Sequence, residues 1–214
     1  MCSRYFVDMS PELRPIIEQA RGTSLASRMV HDLGRPVIAQ GEVRPTDIAP
    51  VIASNRMGQP SVFPMIWGFF SSDIDNTRRS QPLFNARSET ASQKRTFREC
   101  WFRRRCIIPC SWYFEWEHLK RADGSSKAGD KYIIQPSGTT VTYLAGLYRM
   151  EGDFPHFTIL TREPSQDLSK LHDRMPVILP KDLISEWIRP EGSPDEVICH
   201  ALTDMIFEKA SDRL

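Results

Sequence analysis

The feature that most constrains the fold is a series of strand candidates that follow one another without helices between them. The stretch RCIIPCSWYFEWE, which starts at Arg105, is dense in β-branched and aromatic residues. KYIIQP, TVTYLAGLYR and HFTILT follow it, and the turn sequences PSG and EGDFP separate these three. Because parallel neighbours need long crossover connections, the order predicts a mainly antiparallel or mixed sheet.

Further elements are predicted around this sheet. EVRPTDIAPVIAS and SVFPMIWGFF predict a hairpin that turns at MGQP, and MPVILP predicts another strand. Ser10 and Pro11 predict the start of a helix that is broken by Pro15 and ends near Gly22. The spacing of apolar residues predicts one long helix over residues 88–104, with Ser88 as its cap. EHLKRADGSSKAGD is predicted as a polar loop, KDLISEWI as a surface helix and HALTDMIFEKASDRL as helical.

Length and composition favour one domain. The chain has 214 residues, no internal repeat and no linker long enough to divide it. We therefore expect residues 1–214 to form a single compact α+β domain with a barrel-like β core flanked by short helices. Charged residues interrupt the first twenty positions, and no long apolar stretch follows, which predicts a cytoplasmic protein with no membrane contact. A monomer is the default expectation.

The five cysteines do not predict a disulfide framework, because their number is odd and no export signal precedes them. Cys106 and Cys110, with Cys100 and His118 nearby in sequence, suggest a zinc site only weakly. Their spacing is not that of a zinc knuckle, and the segment alternates like a strand. We expect neither a metal nor a cofactor.

The formal net charge of +1 does not identify a nucleic-acid-binding protein, but the local distribution of charge is uneven. Five arginines and three aromatic residues crowd into eleven positions: Arg95, Arg98, Arg103, Arg104, Arg105, Phe97, Trp101 and Phe102. Such a segment is typical of a surface that neutralises phosphates and stacks bases. It equally fits a solvated helix whose aromatic residues enter the core, so both interpretations stay open.

Four separate stretches place polar groups among apolar or turn residues: MCSR, FNARSE, WYFEW and LHDRMPVIL. Cys2 is small enough for Met1 to be removed, which leaves an amine and a thiol on one residue, although a free cysteine is often only a small buried hydrophobe. Strand alternation places Glu115 with Tyr113, either on an exposed face or in a cleft that raises its pKa. His172, beside Asp173 and Arg174, and the pair Asn85 and Arg87 fit structural or catalytic roles.

Other active-site motifs are missing from the sequence. It contains no G-x-x-x-x-G-K-[ST], G-x-G-x-x-G, H-E-x-x-H or G-x-S-x-G. Nucleotide-binding, zinc-protease and lipase chemistries therefore lack their characteristic motifs, and Cys2 is the remaining candidate nucleophile.

The sequence resembles the SRAP family of abasic-site processing proteins. The stretches that carry the resemblance follow one another in the order MCSR, IAPVI, Trp67-Gly68, FNARSE, RRRCIIPCSWYFEW and LHDRMPVIL. The resemblance extends from Cys2 to about Trp187. It implies a compact α+β fold with a barrel-like core and a positively charged groove for single-stranded DNA. It also implies an abasic-site sensor, in which the N-terminal cysteine forms a covalent link to abasic deoxyribose and protects the lesion during the DNA damage response.

The resemblance also assigns the site. Cys2 matches the crosslinking cysteine, Asn85 and Arg87 the N-A-R pair, Glu115 the acidic residue, and His172 the histidine of H-D-R-M. DNA binding along the groove is expected from Arg4, Trp67, Arg87, Arg104 and Arg174. The chain departs from the family pattern at Ser3, where glycine is usual, and at Cys110-Ser111-Trp112, where a turn glycine is usual.

The chemistry expected of these groups is thiazolidine formation. The Cys2 amine attacks the ring-opened aldehyde, and the thiol then closes the ring, with Glu115 moving protons. His172, titrating near neutrality, protonates the sugar oxygen. Two other classes stay open: an N-terminal-nucleophile cysteine peptidase that removes its own Met1, and a non-catalytic reader of damaged single-stranded DNA. AP-lyase cleavage is a side reaction of the same imine, and nucleoid association is expected during damage.

Overall fold

The computed structural model describes residues 2–70, 82–120 and 126–212. In these ranges the strands are β1 (Arg4–Val7), β2 (Gly41–Val43), β3 (Ile48–Ser54), β4 (Pro60–Trp67), β5 (Asn85–Arg87), β6 (Arg105–Cys110), β7 (Trp112–Lys120), β8 (Ser126–Pro136), β9 (Thr142–Glu151), β10 (Phe154–Arg162), β11 (Met175–Pro176) and β12 (Met205–Lys209). The α-helices are α1 (Arg14–Arg21), α2 (Ser24–Leu33), α3 (Ser88–Ala91), α4 (Arg95–Arg103), α5 (Ile184–Ile188) and α6 (Pro194–Ile198). Short 3₁₀ turns cover Leu168–Lys170, Lys181–Leu183 and Ala210–Asp212.

Five strands close into a barrel, as predicted for the β core. Strands β4, β3, β6 and β9 pair antiparallel in that order, β9 pairs antiparallel with β10, and β10 returns to β4 in parallel. Strands β5 and β11 extend this sheet from β10. Closure leaves the five barrel strands without a free edge along their paired segments.

A second, antiparallel sheet packs beside the barrel in the order β12-β8-β7-β1-β2. Strand β1 lies between β2 and β7, with Tyr5 opposite both Val43 and Tyr113. One large cluster of buried apolar side chains includes residues from both sheets. The structure therefore has the predicted single compact α+β architecture, with mainly antiparallel strands and short flanking helices.

Gly146 lies where the barrel leaves no room for a side chain. A Cβ atom at this position of β9 would lie 2.6 Å from Ile108 Cδ1 and 2.7 Å from the carbonyl oxygen of Thr158. A side chain would therefore require strands on both sides of β9 to move apart.

Two helix predictions are wrong in detail. The first helix begins at Arg14 rather than at Pro11, and Pro15 lies in its first turn, where no intrahelical N–H bond is lost. The helix predicted over residues 88–104 is two helices, because the chain makes a turn at residues 92–94 between Ala91 and Arg95. Ser88 is not its cap, since Arg87 occupies that position without a side-chain hydrogen bond.

The polar loop and the helical C-terminus are also wrong. Strands β7 and β8 continue to Lys120 and from Ser126, so most of the predicted loop is the end of a long hairpin. The C-terminal segment forms β12, which pairs antiparallel with β8 from Met205 to Lys209. The segment pairs with the edge of β8, whose backbone N–H and C=O groups would otherwise lack partners on that side. Local helical spacing does not reveal this edge.

No helix in the described part of the chain is long and apolar enough to cross a membrane.

Candidate active site around Cys2

Cys2 lies just before β1 and is completely buried between the two sheets. Its carbonyl oxygen accepts a hydrogen bond of 2.9 Å from Asn85 Nδ2, and its thiol contacts the carbonyl oxygen of Arg4 at 3.7 Å. Asn85 begins β5, which pairs in parallel with β10 of the barrel sheet. The amide of Asn85 therefore ties the start of one sheet to the other.

Asn85 has a second polar atom at this position. Its Oδ1 is buried and has no hydrogen-bond partner among the described residues. A buried acceptor without a partner costs free energy, so its presence next to Cys2 is consistent with a bound group that donates a hydrogen bond.

Glu115 lies on the inner face of β7, two residues after the buried Tyr113, and its residue is only 3% exposed. Trp112, Phe114 and Trp116 form a separate apolar cluster on the opposite face. This arrangement confirms the predicted alternation and excludes the exposed face, because the carboxyl group is buried. Burial raises the pKa of Glu115 to about 7, and the positive charge of the amino terminus opposes this shift.

His172 comes from the segment before β11 and is also buried. Its Nε2 lies 3.7 Å from Glu115 Oε2, and its Nδ1 accepts a hydrogen bond of 3.0 Å from the backbone N–H of Arg174. Burial lowers the pKa of His172 to about 4. The expectation that His172 titrates near neutrality is therefore wrong, because a buried imidazole loses its charged form first.

The Cys2 thiol is not activated in this environment. Burial, followed by the negative charge of Glu115, raises its pKa far above the ordinary value of a cysteine. At neutral pH the sulfur therefore carries its proton, unlike the thiolate nucleophiles of cysteine enzymes.

The predicted groove residues occupy different surroundings. Arg4 is partly exposed, donates a 3.0 Å hydrogen bond to Glu42 Oε2 and lies 5.9 Å from the Trp116 ring centroid. Arg87 is exposed at the end of β5. Arg174 makes two hydrogen bonds of 2.9 Å to the Glu89 carboxylate, so its guanidinium is largely engaged within the protein.

Trp67 is not a groove residue in this structure. Its side chain is fully buried, its indole N–H donates a 2.9 Å hydrogen bond to the carbonyl oxygen of Phe84, and its ring stacks on Phe157. It supports the backbone directly before Asn85 rather than contacting a ligand.

The arginine-rich segment divides into surface and core positions. Phe97 and Trp101 are buried, whereas Phe102 is 46% exposed. Arg105 is buried, and Arg104 forms a 3.0 Å ion pair with Glu99 at the end of α4. No contact within the described ranges joins Arg104 to Cys2, Glu115 or His172, so its predicted place along the same groove has no support here.

Two further positions bear on the site. Ser111 is buried between β6 and β7, where its hydroxyl accepts a 3.1 Å hydrogen bond from the backbone N–H of Asp8; this departure from the family pattern therefore stabilises a strand junction. His118 lies against His172, with 4.0 Å between the two ring centroids. Local sequence patterns do not indicate this pairing, because they predict a loop at His118.

Comparison with known proteins places the chain in a family. The family model described as SOS response associated peptidase (SRAP) matches residues 1–211. The chain belongs to the SRAP family. The predicted resemblance is therefore confirmed.

Curated relatives share part of the chain. Over 149 residues it is 34% identical to the abasic site processing protein YoaM of Bacillus subtilis, an alignment that covers 67% of this chain and 61% of the relative. The abasic site processing protein YedK of Escherichia coli is 30% identical over 68% of this chain and 63% of its own length. The abasic site processing protein HMCES of Rattus norvegicus is 24% identical, in an alignment that covers 70% of this chain and 52% of the relative. The matched region thus spans less than two thirds of each of these relatives.

Solved structures support the fold. A crystal structure of a Bacteroides thetaiotaomicron protein matches 97% of this chain and 91% of its own with a TM-score of 0.72 and 22% identity. A crystal structure of a Bordetella bronchiseptica protein covers 98% of this chain and 99% of its own chain, with a TM-score of 0.66 and 20% identity. Identities this low establish the shared fold alone.

Proposed function

We propose that the protein is an abasic-site sensor that binds single-stranded DNA and becomes covalently linked through Cys2 to the ring-opened deoxyribose. The observation that carries the proposal is the geometry at Cys2. Asn85 binds its carbonyl oxygen at 2.9 Å, and the raised pKa of its thiol includes a contribution from the Glu115 charge, so a nucleophile, an orienting amide and a proton-transfer group adjoin one another. The names of the curated relatives point to the same lesion.

The reaction joins both nucleophilic atoms of one residue to one carbon. After removal of Met1, the Cys2 amine adds to the C1′ aldehyde and forms a carbinolamine. Loss of water gives an imine, and addition of the thiol S–H across the C=N bond closes the thiazolidine. One C–N bond and one C–S bond form, one water leaves, and no oxidant or reductant is required. Ring closure is intramolecular and therefore strongly favoured.

The ionisation states of the groups support attack by the amine first. An α-amine has an ordinary pKa of about 7.7 to 8.0, so a fraction is unprotonated at neutral pH. The thiol has a strongly raised pKa and is not a thiolate. It becomes reactive at the second step, where Glu115 can accept its proton as the sulfur adds to the imine carbon.

Glu115 suits both directions of proton transfer, because its pKa of about 7 leaves both forms populated near neutrality. The carboxylate accepts a proton from the attacking amine, and the acid returns it to the hydroxyl that leaves as water. Neutral His172 lies 3.7 Å from the carboxyl and orients it rather than supplying a proton. Asn85 positions Cys2 and offers its buried Oδ1 to the N–H of the carbinolamine.

Binding of DNA is assigned to exposed cationic groups near this site. Arg87 follows Asn85 by two residues and is exposed, and Arg4 follows Cys2 by two residues and is partly exposed. Such groups contact phosphates and carry no sequence information. Single strands are preferred because their sugars are not enclosed by a paired, stacked duplex.

Cysteine peptidase chemistry is less favoured by the same observations, since a thiolate nucleophile needs a lowered thiol pKa and burial at Cys2 has the opposite effect. A reader that only binds DNA leaves the buried carboxyl beside Cys2 without a chemical role. The covalent proposal accounts for both features.

A crosslinking assay tests the proposal. Protein without Met1 is incubated with a single-stranded oligonucleotide whose single uracil has been removed by uracil glycosylase, and the products are separated after heating. We expect a heat-stable adduct whose mass is the sum of the two partners minus one water and whose modified peptide begins with Cys2. The uncut uracil oligonucleotide serves as the control. An adduct mapped to a lysine, or no adduct with fully processed protein, would overturn the proposal.

Replacing Glu115 with glutamine is expected to slow adduct formation by roughly 100-fold, the usual contribution of a positioned acid–base group. The ratio of wild-type to variant rate should rise with pH through about 7, where Glu115 ionises, because the titration of the amine cancels in the ratio. Rates are measured by quenched time courses on denaturing gels across this pH range.

Glu117→Gln is the matched control, because Glu117 is the next carboxylate along the same strand but is less buried. The free energy of unfolding also depends on pH through Glu115. Since the folded-state pKa of Glu115 is raised, the folded protein holds a proton that the unfolded chain releases, and stability falls as pH rises toward about 7. Glu115→Gln should therefore gain in melting temperature over wild type at high pH and not at low pH. Equal rates for wild type and Glu115→Gln would remove Glu115 from the mechanism.

A further inference from the structure

A second group of potential ligands lies at the rim of the Cys2 site, on the side of His172 that faces away from Glu115. Strand β7 shifts its register between Trp116 and His118, and the backbone N–H of His118 then donates a 3.0 Å hydrogen bond to the carbonyl oxygen of Leu171. This bond places His118 beside the segment that carries His172 and Asp173. The juxtaposition is therefore held by the backbone rather than by the flexible ends of side chains.

The three side chains converge. One ligand atom from each of His118, His172 and Asp173 lies within 4.8 Å of the other two. The two imidazole centroids are 4.0 Å apart, and His172 Nδ1 is 2.9 Å from Asp173 Oδ1. Ligands about 2 Å from a common ion lie about 3 to 4 Å from one another, so three atoms within 4.8 Å are close to the spacing that a shared ion requires.

The contact between His172 and Asp173 requires either a proton or a cation between the two atoms. Nδ1 of His172 accepts the N–H of Arg174 at 3.0 Å, so its lone pair points outward from the ring on that side. The Asp173 carboxylate oxygen, which is also an acceptor, faces the same nitrogen at 2.9 Å. Two acceptors at this distance repel each other unless a cation or a proton lies between them.

We propose that His118, His172 and Asp173 form a binding site for a divalent transition-metal ion. Two imidazoles and one carboxylate form a ligand set suited to Zn²⁺, Co²⁺ or Ni²⁺ rather than to Mg²⁺ or Ca²⁺, which prefer oxygen. Three protein ligands leave at least one coordination position for water or an anionic ligand. The ion takes the place of the Arg174 N–H as the partner of the Nδ1 lone pair.

A metal at Nδ1 has a consequence for the neighbouring site. It leaves Nε2 of His172 as the protonated nitrogen, and Nε2 is the atom that faces Glu115 at 3.7 Å. The ion thus holds His172 in one tautomer and one orientation. The sequence does not predict this site. The only zinc site considered from the sequence combines His118 with nearby cysteines, whereas the structure places His118 beside residues that lie some 54 positions away in the chain.

Titration with Co²⁺ followed by visible absorption tests the site. The untagged protein carries Cys2→Ala and Cys199→Ser, which remove the aminothiol and the exposed cysteine as competing ligands; the other three cysteines are buried. We expect one equivalent of Co²⁺ to bind with the absorption of a four- or five-coordinate nitrogen and oxygen site. His118→Gln and Asp173→Asn in this background should each weaken binding at least about tenfold.

His31→Gln is the matched control. His31 is an exposed histidine whose Nδ1 lies 2.6 Å from Asp32 Oδ1, so it offers the same imidazole–carboxylate pair without a second imidazole. Its replacement should leave Co²⁺ affinity unchanged. Absence of saturable binding, equal affinity in His118→Gln, or loss of binding in His31→Gln would each overturn the metal site. The titration contains no DNA, so its failure leaves the crosslinking proposal standing, and failure of crosslinking leaves the metal site standing.

Discussion

Replacing Cys2 with alanine is expected to eliminate the heat-stable adduct with abasic single-stranded DNA while an imine remains trappable with borohydride. Alanine permits removal of Met1 and keeps the free amine, so the first step proceeds. It lacks the sulfur that closes the thiazolidine, and the imine therefore hydrolyses on heating. Cys2→Ser should behave like Cys2→Ala in this assay, because an unactivated hydroxyl is a poorer nucleophile than a thiol.

The assay compares gels run with and without reductant for the wild type, Cys2→Ala and Cys199→Ala. Cys199 is exposed, so its replacement controls for the loss of a thiol elsewhere and should leave the adduct at wild-type yield. Cys2 is fully buried, and its truncation costs roughly 1 kcal/mol of stability, so a melting curve verifies that the variant is folded. A heat-stable adduct of undiminished yield in Cys2→Ala would refute the proposed chemistry.

Replacing Arg105 with alanine is expected to lower the free energy of unfolding by about 3 to 5 kcal/mol, a large fraction of the stability of an ordinary domain. Arg105 is 1% exposed. Its guanidinium donates 2.7 Å hydrogen bonds to the carbonyl oxygens of Trp101 and Trp187, a 3.1 Å hydrogen bond to that of Gly192, and another to that of Arg189. Truncation leaves these buried acceptors without their donor and opens a cavity.

Equilibrium unfolding in urea measures this effect. Arg105→Lys should lie between the wild type and Arg105→Ala, since an ammonium keeps the charge but cannot reach all of these carbonyls from one plane. Arg104→Ala is the matched control, because the neighbouring side chain is 40% exposed and its ion pair with Glu99 should contribute at most about 1 kcal/mol. An Arg105→Ala variant as stable as Arg104→Ala would show that the carbonyl cluster contributes little.

The sequence predicts most of the sheet because its signals are local. Alternation in WYFEW places Trp112, Phe114 and Trp116 on one face, and the structure confirms it. The hairpin at MGQP is also confirmed, with Val51 opposite Phe63 in the pairing of β3 with β4. Period-two burial and turn residues determine these elements without reference to distant parts of the chain.

Several of the wrong predictions arise from contacts that local sequence patterns do not reveal. The C-terminal segment has helical spacing but pairs with β8, and the predicted polar loop continues the hairpin of β7 and β8. Arg105 belongs to a basic run, yet four backbone carbonyls from other segments bind it in the interior. Trp67 lies in a recognisable motif, but its ring fills the core.

The candidate site shows the same division between local and tertiary information. The residues Cys2, Asn85, Glu115 and His172 could be named from their motifs, and the family match confirms the resemblance on which the naming depends. Their roles remain predictions, and the pKa of His172 was needed to replace its expected role as a proton donor with an orienting one. The pKa values of both groups arise from burial, with the Glu115 pKa moving up to about 7 and the His172 pKa down to about 4.

By itself, the sequence determined the five strands of the barrel, which face of β7 carries its carboxyl group, and which four residues are chemically notable. Only the tertiary structure decided that Asn85 binds Cys2, that Glu115 faces the interior, and that His118 lies against His172 and Asp173. The physical reason is that alternation and turn chemistry act over a few residues. Desolvation and hydrogen bonding between sheets depend on segments that meet only after the barrel and the second sheet have packed together.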